Sequence, residues 1–318
     1  MNKKKISFGD FITKYAVVII AVLLIIFFSI VADNFFSASN FANLLRQVSI
    51  NGICAVGMTC VILTGGVDIS VGGVIGISGV LCAFNMMHGM NPIIASLISL
   101  VLGIALGCFS GLMISVIGIA PMIATMGVNT ALRGAAYLLT DGKAIFDFPS
   151  WYAQIGQGYV GIVPIPVIIM VVIFIAGTIF LSKTRFSRYI YGVGANEEVA
   201  RLSGINVVKV KTICYAISGF CAALAGLVLL GRVNSGQPKA GDGYEMDIIT
   251  ATVMGGVTLT GGEGNIVFVI FGVLVIGTLS NGMTMMGVND YWQRVAKGIV
   301  LLLAVGFDRY MQKRKAKS

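Results

Sequence analysis

The acidic side chain set deepest in apolar sequence is that of Asp68, which lies with Ser70 inside the glycine-rich stretch 65–73. A carboxylate at such a depth is costly to keep away from water, so it is often retained for a function. Two interpretations are open. Asp68 and Ser70 either line a path for a polar solute or cap the free backbone N–H groups of the helix that follows.

Three further polar residues, Thr125, Asn129 and Arg133, are spaced four residues apart and therefore share one face of a predicted helix. In an otherwise apolar segment, such a face turns toward the interior of a helix bundle. It either forms hydrogen bonds between helices or lines a path for a polar solute. The three residues are candidates for such a path.

The stretch 255–260 (GGVTLT) is similar to 65–70 (GGVDIS), with Thr258 at the place of Asp68. Glycine-interrupted segments in the two halves of a membrane protein are typical of a transport path between repeats, so Thr258 is a further path candidate. An inverted repeat would put the two stretches on opposite sides of the membrane, whereas the predicted helix count puts both on the cytoplasmic side. Either the similarity is local or the count is wrong by one.

Residues typical of enzymes, metal sites and nucleotide sites are scarce. His88 is the only histidine and has no acidic residue or cysteine at ligand spacing, and the six cysteines stand singly in apolar segments. The sequence has no G-x-x-x-x-G-K-[ST] loop to hold ATP phosphates. We predict no catalytic residue, no metal and no cofactor of the chain's own, so energy comes from a partner or an ion gradient.

The composition indicates an all-α, polytopic membrane protein. Hydrophobic residues make up 57% of the chain and charged residues 11%, against about 25% charged in a soluble domain. The apolar runs are continuous over about 20 residues, which favours helices over a β-barrel. We predict a single transmembrane domain over residues 1–318 with about ten helices, some broken or re-entrant. The predicted spans are 15–32, 48–63, a run ending near 87, 89–117, 122–139, 166–181, 212–230, 248–259, 266–279 and 295–307.

Positive charge is concentrated in three places. Fifteen of the 22 basic residues lie in the first 14 residues, in the segment 182–211 and after residue 308. Positive segments stay in the cytoplasm, so both termini and 182–211 are predicted to be cytoplasmic. Because the net charge of +9 follows this membrane rule, it does not indicate nucleic acid as a partner.

The most complete local signal in 182–211 is a short helix that begins after Asn196. Asn196 can act as N-cap, Glu197 and Arg201 are four residues apart, and Gly204 suits the left-handed position that ends a helix. Such a two-turn helix is marginal by itself and needs a surface to lie on. The outer loop 231–247 mixes charges of both signs and can meet a charged partner.

Taken together and in order, six stretches resemble the permease subunit of bacterial ribose-type ABC importers, which carry monosaccharides. The resemblance implies the ABC importer permease fold in a bacterial inner membrane, and a second permease copy, expected to be identical, around one path. It also implies a cytoplasmic ATPase subunit that binds the ATP and an external substrate-binding protein. The six stretches are TGGVDISVGG (64–73), APMIATMGVNTALRG (120–134), YGVGANEEVARLSGINV (191–207), SGQPKAGDGYEMD (235–247), GGVTLTGGEG (255–264) and GVNDYWQRVAKGIVLLLAVGFD (287–308).

The resemblance also assigns residues to roles. The family's coupling helix maps onto 196–204 and would dock into a groove of the ATPase. Its residues are Asn196, Glu197, Glu198, Val199, Ala200, Arg201, Leu202 and Gly204, with Val199, Ala200 and Leu202 buried in the groove. The mouth that faces the binding protein would be formed by Arg232, Gln237, Lys239 and Glu245.

Other functions are less well supported by the residues. An ion-coupled secondary transporter would use paired acids inside the membrane, and Asp68 has no evident partner. A membrane enzyme would cluster His, Asp or Glu at one membrane face. Within the ABC class, an importer of a nucleoside, a branched-chain amino acid or another small polar solute stays an alternative to a ribose-like pentose or a hexose.

Overall fold

The structure is a computed structural model that describes residues 8–315, with side chains from 16 to 306. It is helical apart from one two-stranded hairpin, as expected for an all-α protein. The helices are α1 (Phe8–Val31), α2 (Ala38–Leu63), α3 (Val71–Met87), α4 (Pro92–Leu112), α5 (Pro121–Thr140), α6 (Gln154–Gln157), α7 (Ile165–Lys183), α8 (Arg185–Ala195), α9 (Glu197–Leu202), α10 (Val207–Val233), α11 (Tyr244–Met254), α12 (Ile266–Met285) and α13 (Asp290–Lys315). A π turn (Met113–Ile117) extends α4, a 3₁₀ turn (Ser150–Ala153) precedes α6, and β1 (Tyr159–Val160) pairs with β2 (Val163–Pro164).

The core is formed by α2 and α10. From Val48 to Leu63 every residue of α2 is buried, and α10 packs against α2, α3 and α4. Helix α10 packs closely at Gly219, where a Cβ would overlap the carbonyl oxygen of Gly103 on α4. Small residues let the two backbones approach, which is how membrane helices associate without a hydrophobic driving force.

Five helices in the described part of the chain, α2, α4, α7, α10 and α12, are long and apolar enough to cross a membrane. The apolar parts of α1 and α3 are shorter. Large apolar side chains on α1, α4 and α7 are exposed, among them Ile30, Ile93 and Val172, as expected for contact with lipid. The helical class is therefore confirmed, whereas the count of ten spans stays a prediction.

Helices α3 and α10 run in parallel. Asp68, just before α3, contacts Ser218, and Ile75 contacts Gly226. Ser218 lies 11 residues into α10, about 17 Å from its start at the rise of an α-helix. The break before α3 is thus set well inside the helix bundle and not at its surface, and α3 covers only part of the bundle's depth.

The chain after α10 turns back along α3, in a segment that we call the descending segment (234–243). Gly236 exchanges two backbone hydrogen bonds with Ile145 near the outer end of α3, and Gly241 lies against Gly72 near its inner end. The predicted external loop 231–247 is therefore wrong in part. Its first residues extend α10, its last form the start of α11, and the middle enters the bundle.

The connection 33–47 between the first two predicted spans is also wrong in part, because α2 begins at Ala38. Polar residues lie in the first turns of this helix. One of them, Asn40, is buried and forms a reciprocal amide pair with Asn281 of α12, with Nδ2–Oδ1 distances of 3.0 and 2.9 Å. A local N-cap, Ser37 accepting from the Asn40 N–H at 3.3 Å, and a partner 241 residues away together stabilise this helix start.

The segment 182–211, which we call the coupling segment, is folded rather than loop-like. Thr184 caps α8 through Ser187, and Asn206 caps α10 through Lys209. Helix α8 was not predicted, although it buries Ser187, Ile190 and Val193 at helical spacing. Of the basic residues behind the predicted cytoplasmic termini, Lys3, Lys4, Lys5 and Lys317 lie outside the described residues.

Candidate functional site

A cavity of about 260 Å³ lies between α3, α5, α13 and the descending segment, and we call it the polar cavity. Its wall on α3 has no side chains, because Gly72, Gly73 and Gly76 face it. Two of these glycines are required: a Cβ at Gly72 would overlap Glu245 Oε2, and one at Gly73 would lie 2.7 Å from Asn129 Oδ1. The remaining lining residues are Arg133, Ala136, Tyr137, Pro238, Lys239, Gly241, Asp242 and Arg294.

Four charged side chains around the polar cavity are paired with one another, and Lys239 also lines the cavity. Arg133 of α5 binds Asp242 through Nη1 (2.6 Å) and Glu245 through Nη2 (2.8 Å). Arg294 of α13 binds the other oxygen of Asp242 at 3.0 Å. The pairs connect four separate parts of the chain, so the cavity's shape depends on all of them.

Two oxygen atoms beside the polar cavity have no hydrogen-bond partner among the described residues: Asn129 Oδ1 and Glu245 Oε2. Both residues are more than nine-tenths buried. Buried polar atoms are paired in the great majority of cases, so two unpaired acceptors on facing elements are unusual. They lie against Gly73 and Gly72, at the inner end of the cavity.

The segment 64–70 between α2 and α3, which we call the first break, is closed and fully hydrogen-bonded at Asp68. Asp68 Oδ1 accepts from the backbone N–H (3.0 Å) and hydroxyl of Ser70, and Oδ2 accepts from the hydroxyl of Ser218 (2.7 Å). Thr125 of α5 accepts from the N–H of Ile69 at 3.1 Å. Asp68 therefore holds the first break closed, Ser70 makes no side-chain hydrogen bond to the N–H groups of α3, and Thr125 joins α5 to the break.

The predicted polar face of α5 is confirmed as a surface that follows α3. Thr125 contacts the first break, Asn129 lies one turn further out against Gly73, and Arg133 reaches the polar cavity. Five of the six path candidates, Asp68, Ser70, Thr125, Asn129 and Arg133, therefore lie along one side of α3 and its start. The sixth, Thr258, does not join them.

Thr258 lies in the segment 255–265, the second break, where its hydroxyl hydrogen-bonds the carbonyls of Gly261 and Glu263. The two breaks are alike in backbone as well as sequence. Each preceding helix ends with a left-handed glycine, Gly65 (φ 80°) or Gly256 (φ 85°), followed by the hydrogen bonds of a Schellman motif. The structural match is shifted by one residue from the sequence match, and both breaks meet near Gly194 of the coupling segment.

The two breaks meet the coupling segment at four glycines, Gly65, Gly194, Gly261 and Gly262, which we call the glycine junction. The N–H of Gly262 donates to the Leu63 carbonyl at 3.0 Å, and a Cβ at Gly194 would overlap that same carbonyl oxygen. Nearby, the Tyr191 hydroxyl of α8 donates to the Gly264 carbonyl at 3.0 Å. Burial raises the pKa of Tyr191, and the nearby Cys60 raises it further, so the hydroxyl keeps its proton at neutral pH.

Helix α9 has the capping residues and the ion pair that the sequence predicts. Asn196 Oδ1 accepts from the N–H of Val199 at 3.0 Å, Glu197 pairs with Arg201 at 3.5 Å, and Gly204 is left-handed with φ 81°. Glu197 also binds Lys211 of α10 at 2.6 Å, which fixes the helix to the bundle.

The exposed apolar side chains of α9 are Val199 and Leu202, which are 57% and 80% exposed. Ala200 is only 4% exposed and belongs to the core of this chain, so the expected burial of Ala200 in a partner's groove is wrong. The reason is geometric: a two-turn helix must lay one face on its own protein, and Ala200 is on that face.

The four residues expected at an outer mouth are not together. Arg232 lies at the outer end of α10, where Gln157 donates to its carbonyl at 2.9 Å. Gln237 donates to Ser235 within the descending segment, and Lys239 lines the polar cavity. Glu245 is buried against α3 and pairs with Arg133.

Sequence reasoning missed Asp242 and Arg294, which complete the charged wall of the polar cavity. Their spacing carried a signal, since Asp242 and Asp247 pair with Arg294 and Lys297 respectively. The sequence shows two acids close together and two bases close together, which is a pattern that allows two ion pairs. Only the fold shows that the segment with the acids and α13 are neighbours.

The comparisons with known proteins cover nearly the whole chain. Residues 40–305 match the family described as the permease component of the branched-chain amino acid transport system. The ribose import permease protein of Bacillus subtilis strain 168 is 43% identical over 310 residues, 97% of this chain and 96% of the relative. The L-arabinose transport system permease protein of Escherichia coli K12 is 36% identical over 98% of this chain and 95% of the relative. The D-allose transport system permease protein of the same organism is 34% identical over 98% of this chain and 96% of the relative. No solved structure matches the chain significantly.

Proposed function

Because this chain belongs to the family of branched-chain amino acid transport system permease components, we propose that it is the membrane permease subunit of an ATP-driven importer for a monosaccharide. The family and the relatives are transport permeases, which confirms the predicted class and the prediction that the chain is not an enzyme. It is a multi-pass protein of the bacterial inner membrane. The solute would be a ribose-like pentose or a hexose.

The chemistry of the polar cavity supports a sugar over a branched-chain amino acid. An aliphatic side chain needs apolar surface, and the residues that line the cavity include no Leu, Ile, Val or Met. Glycines, ion pairs and one tyrosine hydroxyl suit a solute covered with hydroxyl groups. The three relatives are named for ribose, L-arabinose and D-allose.

The proposed path enters the polar cavity from outside and ends at Gly72 and Gly73, where the first break begins. Below this point Asp68, Ser70 and Thr125 are buried and hydrogen-bonded, so this conformation is closed toward the end that carries the coupling segment. Opening would require movement of the first break relative to α5 and α10.

The observation that carries the ATP-driven part of the proposal is the exposed apolar pair Val199 and Leu202 on a helix otherwise fixed to the bundle. We propose that this pair docks into a cytoplasmic ATPase subunit, which binds the nucleotide. Glu198 and Arg201, which are more than half exposed, lie at its rim. The glycine junction gives α8, the helix directly before the docked helix α9, backbone contact with both breaks.

Further partners follow from the same proposal. The coupling segment and both termini are placed in the cytoplasm by the positive-inside rule. A second, identical permease copy completes the path, and an external binding protein delivers the sugar to the outer surface near Arg232, Gln237 and Lys239. Glu245 is better placed to hold Arg133 than to contact that protein.

The deciding experiment is uptake by proteoliposomes that contain the permease, its ATPase and the binding protein. We expect D-ribose or another monosaccharide to accumulate when ATP is enclosed with the ATPase, and accumulation to survive a protonophore. Uptake that needs no ATP but stops with the protonophore would establish an ion-coupled transporter instead. If a nucleoside or leucine competes for uptake and sugars do not, the proposed solute class is wrong. The proposed ATP-driven mechanism would be unaffected by that result.

A further inference from the structure

The corner between α7 and α8 carries three exposed basic side chains, Lys183, Arg185 and Arg188, which we call the basic corner. Lys183 is the last residue of α7, and Arg185 and Arg188 are the first and fourth residues of α8. None of the three side chains forms an ion pair within the described part of the chain. The exposed arginines Arg201 and Arg294, by contrast, are each paired with an acid. The basic corner therefore holds three positive charges that no described acid balances.

The lipid-facing side of α7 leads directly to the basic corner. Val172, Ile175 and Ile179 are each more than half exposed, and their spacing of three or four residues puts them in one row along the helix. Lys183 is the next position of that row. Helix α7 has 19 residues, so its length of about 28 Å is close to the thickness of the hydrocarbon core of a bilayer. Lys183 therefore lies where this lipid-facing side reaches the headgroups.

The start of α8 is held against the end of α7. The rings of Phe180 and Phe186 lie 5.8 Å apart between centroids, and the hydroxyl of Ser187 donates to the Leu181 carbonyl. These contacts keep the first turn of α8, and with it the two arginines of the basic corner, next to the last turn of α7. Tyr189, which is 43% exposed, adds an aromatic side chain of the kind that is enriched at membrane interfaces.

From this arrangement we propose that the basic corner binds the headgroup of an anionic phospholipid, in the leaflet on the side of the coupling segment. We further propose that this lipid holds α8 in the position that ATP-driven uptake requires, a step that rests on the importer function proposed above. Guanidinium and ammonium groups form charge-assisted hydrogen bonds with phosphate oxygens. Basic side chains beside a membrane surface are attracted to anionic lipids in the same way.

The charges of α8 itself favour a bound anion. Arg185 and Arg188 lie at the N-terminal end of the helix, where the helix dipole is positive and a cation is unfavourable. With Lys183 beside them, the three positive charges also repel one another. A lipid phosphate would relieve both repulsions, and the lipid-facing row of α7 shows where such a lipid reaches the corner.

The other end of α8 connects the basic corner to the two breaks. Gly194, in the last turn of α8, lies against the Leu63 carbonyl and the Gly262 nitrogen in the glycine junction. One short helix thus has the membrane surface at its start and the backbone of both breaks near its end. A lipid that fixes the start of α8 would stabilise the junction, and its loss would loosen the contact through which the coupling segment acts on the breaks.

The first test measures binding to the purified permease alone, by its thermal unfolding in a neutral detergent. Dioctanoyl phosphatidylglycerol should raise the unfolding temperature in a saturable manner, whereas dioctanoyl phosphatidylcholine should not. Each basic residue of the corner that is replaced by glutamine should raise the phosphatidylglycerol concentration needed for half of the shift about fivefold. The triple variant Lys183→Gln/Arg185→Gln/Arg188→Gln should therefore need about 100-fold more lipid.

Two further variants sharpen this measurement. Arg185→Lys/Arg188→Lys keeps both charges and should keep most of the response to phosphatidylglycerol. The matched control is Lys143→Gln, which removes an exposed lysine that has no ion pair in the described part of the chain and lies outside the coupling segment. This control should respond to the lipid as the unmodified permease does. If inorganic phosphate raises the unfolding temperature as effectively as phosphatidylglycerol, the site binds free phosphate and the lipid assignment is wrong.

The second test measures transport by the complete transporter in vesicles of phosphatidylcholine, pure or mixed with phosphatidylglycerol. ATP-dependent uptake of D-ribose should rise several-fold with phosphatidylglycerol for the unmodified transporter and for Lys143→Gln. The triple variant should show no such rise. In lipid-free detergent its affinity for the ATPase should be unchanged, because the docking pair Val199 and Leu202 is intact.

The outcomes separate the possible errors. An equal response of the triple variant and the unmodified permease to phosphatidylglycerol would show that the basic corner is not a lipid site. Weaker binding of the ATPase by the triple variant in lipid-free detergent would show that the corner faces the ATPase instead. If the lipid binds as expected but uptake ignores it, the proposed effect on transport is wrong. If the unmodified transporter imports no monosaccharide, the importer function is wrong, and the binding measurement still decides on the lipid site.

Discussion

The polar cavity and the glycine junction are built in opposite ways. Opposite its glycine wall on α3, the cavity is lined by side chains: Arg133, Asp242 and Arg294 form ion pairs across three elements, and two acceptors beside it stay unpaired among the described residues. The junction consists of backbone, with Gly194 and Gly262 against the Leu63 carbonyl and no space for a Cβ at Gly194, Gly261 or Gly262.

The difference shows which property each region provides. Side chains with unfulfilled hydrogen bonds can exchange partners with a solute, whereas backbone in direct contact moves only as a unit. A closely packed contact passes displacement on, since protein interiors are hardly compressible. Substitutions should therefore impair the junction by overlap and the cavity by loss of pairing, and four predictions test this contrast.

The largest effect is expected for Gly194→Val. Its Cβ would overlap the Leu63 carbonyl oxygen and crowd the Gly262 nitrogen, and neither backbone atom can give way easily. Overpacking on the order of 3 kcal/mol would reduce ATP-dependent uptake about 100-fold. Gly192→Ala is the matched control, because its nearest neighbour would be the flexible end of Ile205 at 3.7 Å. Equal uptake by both variants, at equal amounts in the membrane, would remove the mechanical interpretation of the junction.

The next effect concerns the cavity. Arg133→Gln leaves the carboxylate of Glu245, whose side chain is 10% exposed, without its cation. After allowance for the partial exposure of Arg133, we expect the free energy of unfolding to fall by about 2 kcal/mol. Thermal unfolding of the purified permease measures this.

The comparison variant is Arg294→Gln, since the Arg294 side chain is 66% exposed and its pair with Asp242 should contribute under about 0.5 kcal/mol. Adding Glu245→Gln to Arg133→Gln should restore part of the lost stability. A double variant as unstable as the sum of the two single variants would show that the ion pair is not what stabilises this wall.

A smaller effect, confined to partner binding, is expected on α9. Leu202→Asp changes an exposed side chain, so the unfolding temperature should stay the same, while the affinity for the ATPase falls about tenfold through lost apolar burial. Co-purification of the two subunits as a function of concentration measures the affinity. Ala200→Arg should behave differently and destabilise the permease itself, because Ala200 is buried within the chain. A stable Ala200→Arg permease that has lost only the ATPase would reverse this assignment.

The smallest effect is expected for Asp68→Asn, between the two regions. Asparagine can still accept from Ser70, and its amide can donate to the Ser218 hydroxyl, so only charge assistance is lost. We expect the free energy of unfolding to fall by about 1 kcal/mol and the rate of uptake to fall a few-fold. Ser218→Ala, which removes one donor to the same carboxylate, should give a similar result. Complete loss of uptake with normal assembly would return Asp68 to the list of path residues.

Local signals predicted α9 and the polar face of α5 well. Asn196, Gly204 and the four-residue spacing of Thr125, Asn129 and Arg133 act within one or two helical turns, so a sequence contains all that is needed. The start of α2 had a local signal that was missed, since Ser37 accepts from the Asn40 N–H at 3.3 Å as N-cap, whereas the pairing of Asn40 with α12 could not be found in this way.

The polar cavity was beyond local reasoning for the same reason. Arg133 and its two carboxylates are 109 and 112 residues apart, and the descending segment brings them together only by turning back into the bundle. Pairing of charges over such distances depends on which helices are neighbours. Composition and motif order indicate the class of protein, but they do not contain that adjacency.

The reciprocal amide pair of Asn40 and Asn281 limits how the protein can change shape. Its two hydrogen bonds, at 2.9 and 3.0 Å, are antiparallel and buried, so sliding α2 along α12 by more than about 1 Å would break both together. These two helices are thereby fastened into one rigid body. In the proposed transport cycle, exposing the cavity to each side of the membrane in turn would require α5, α13 and the descending segment to rock against that body.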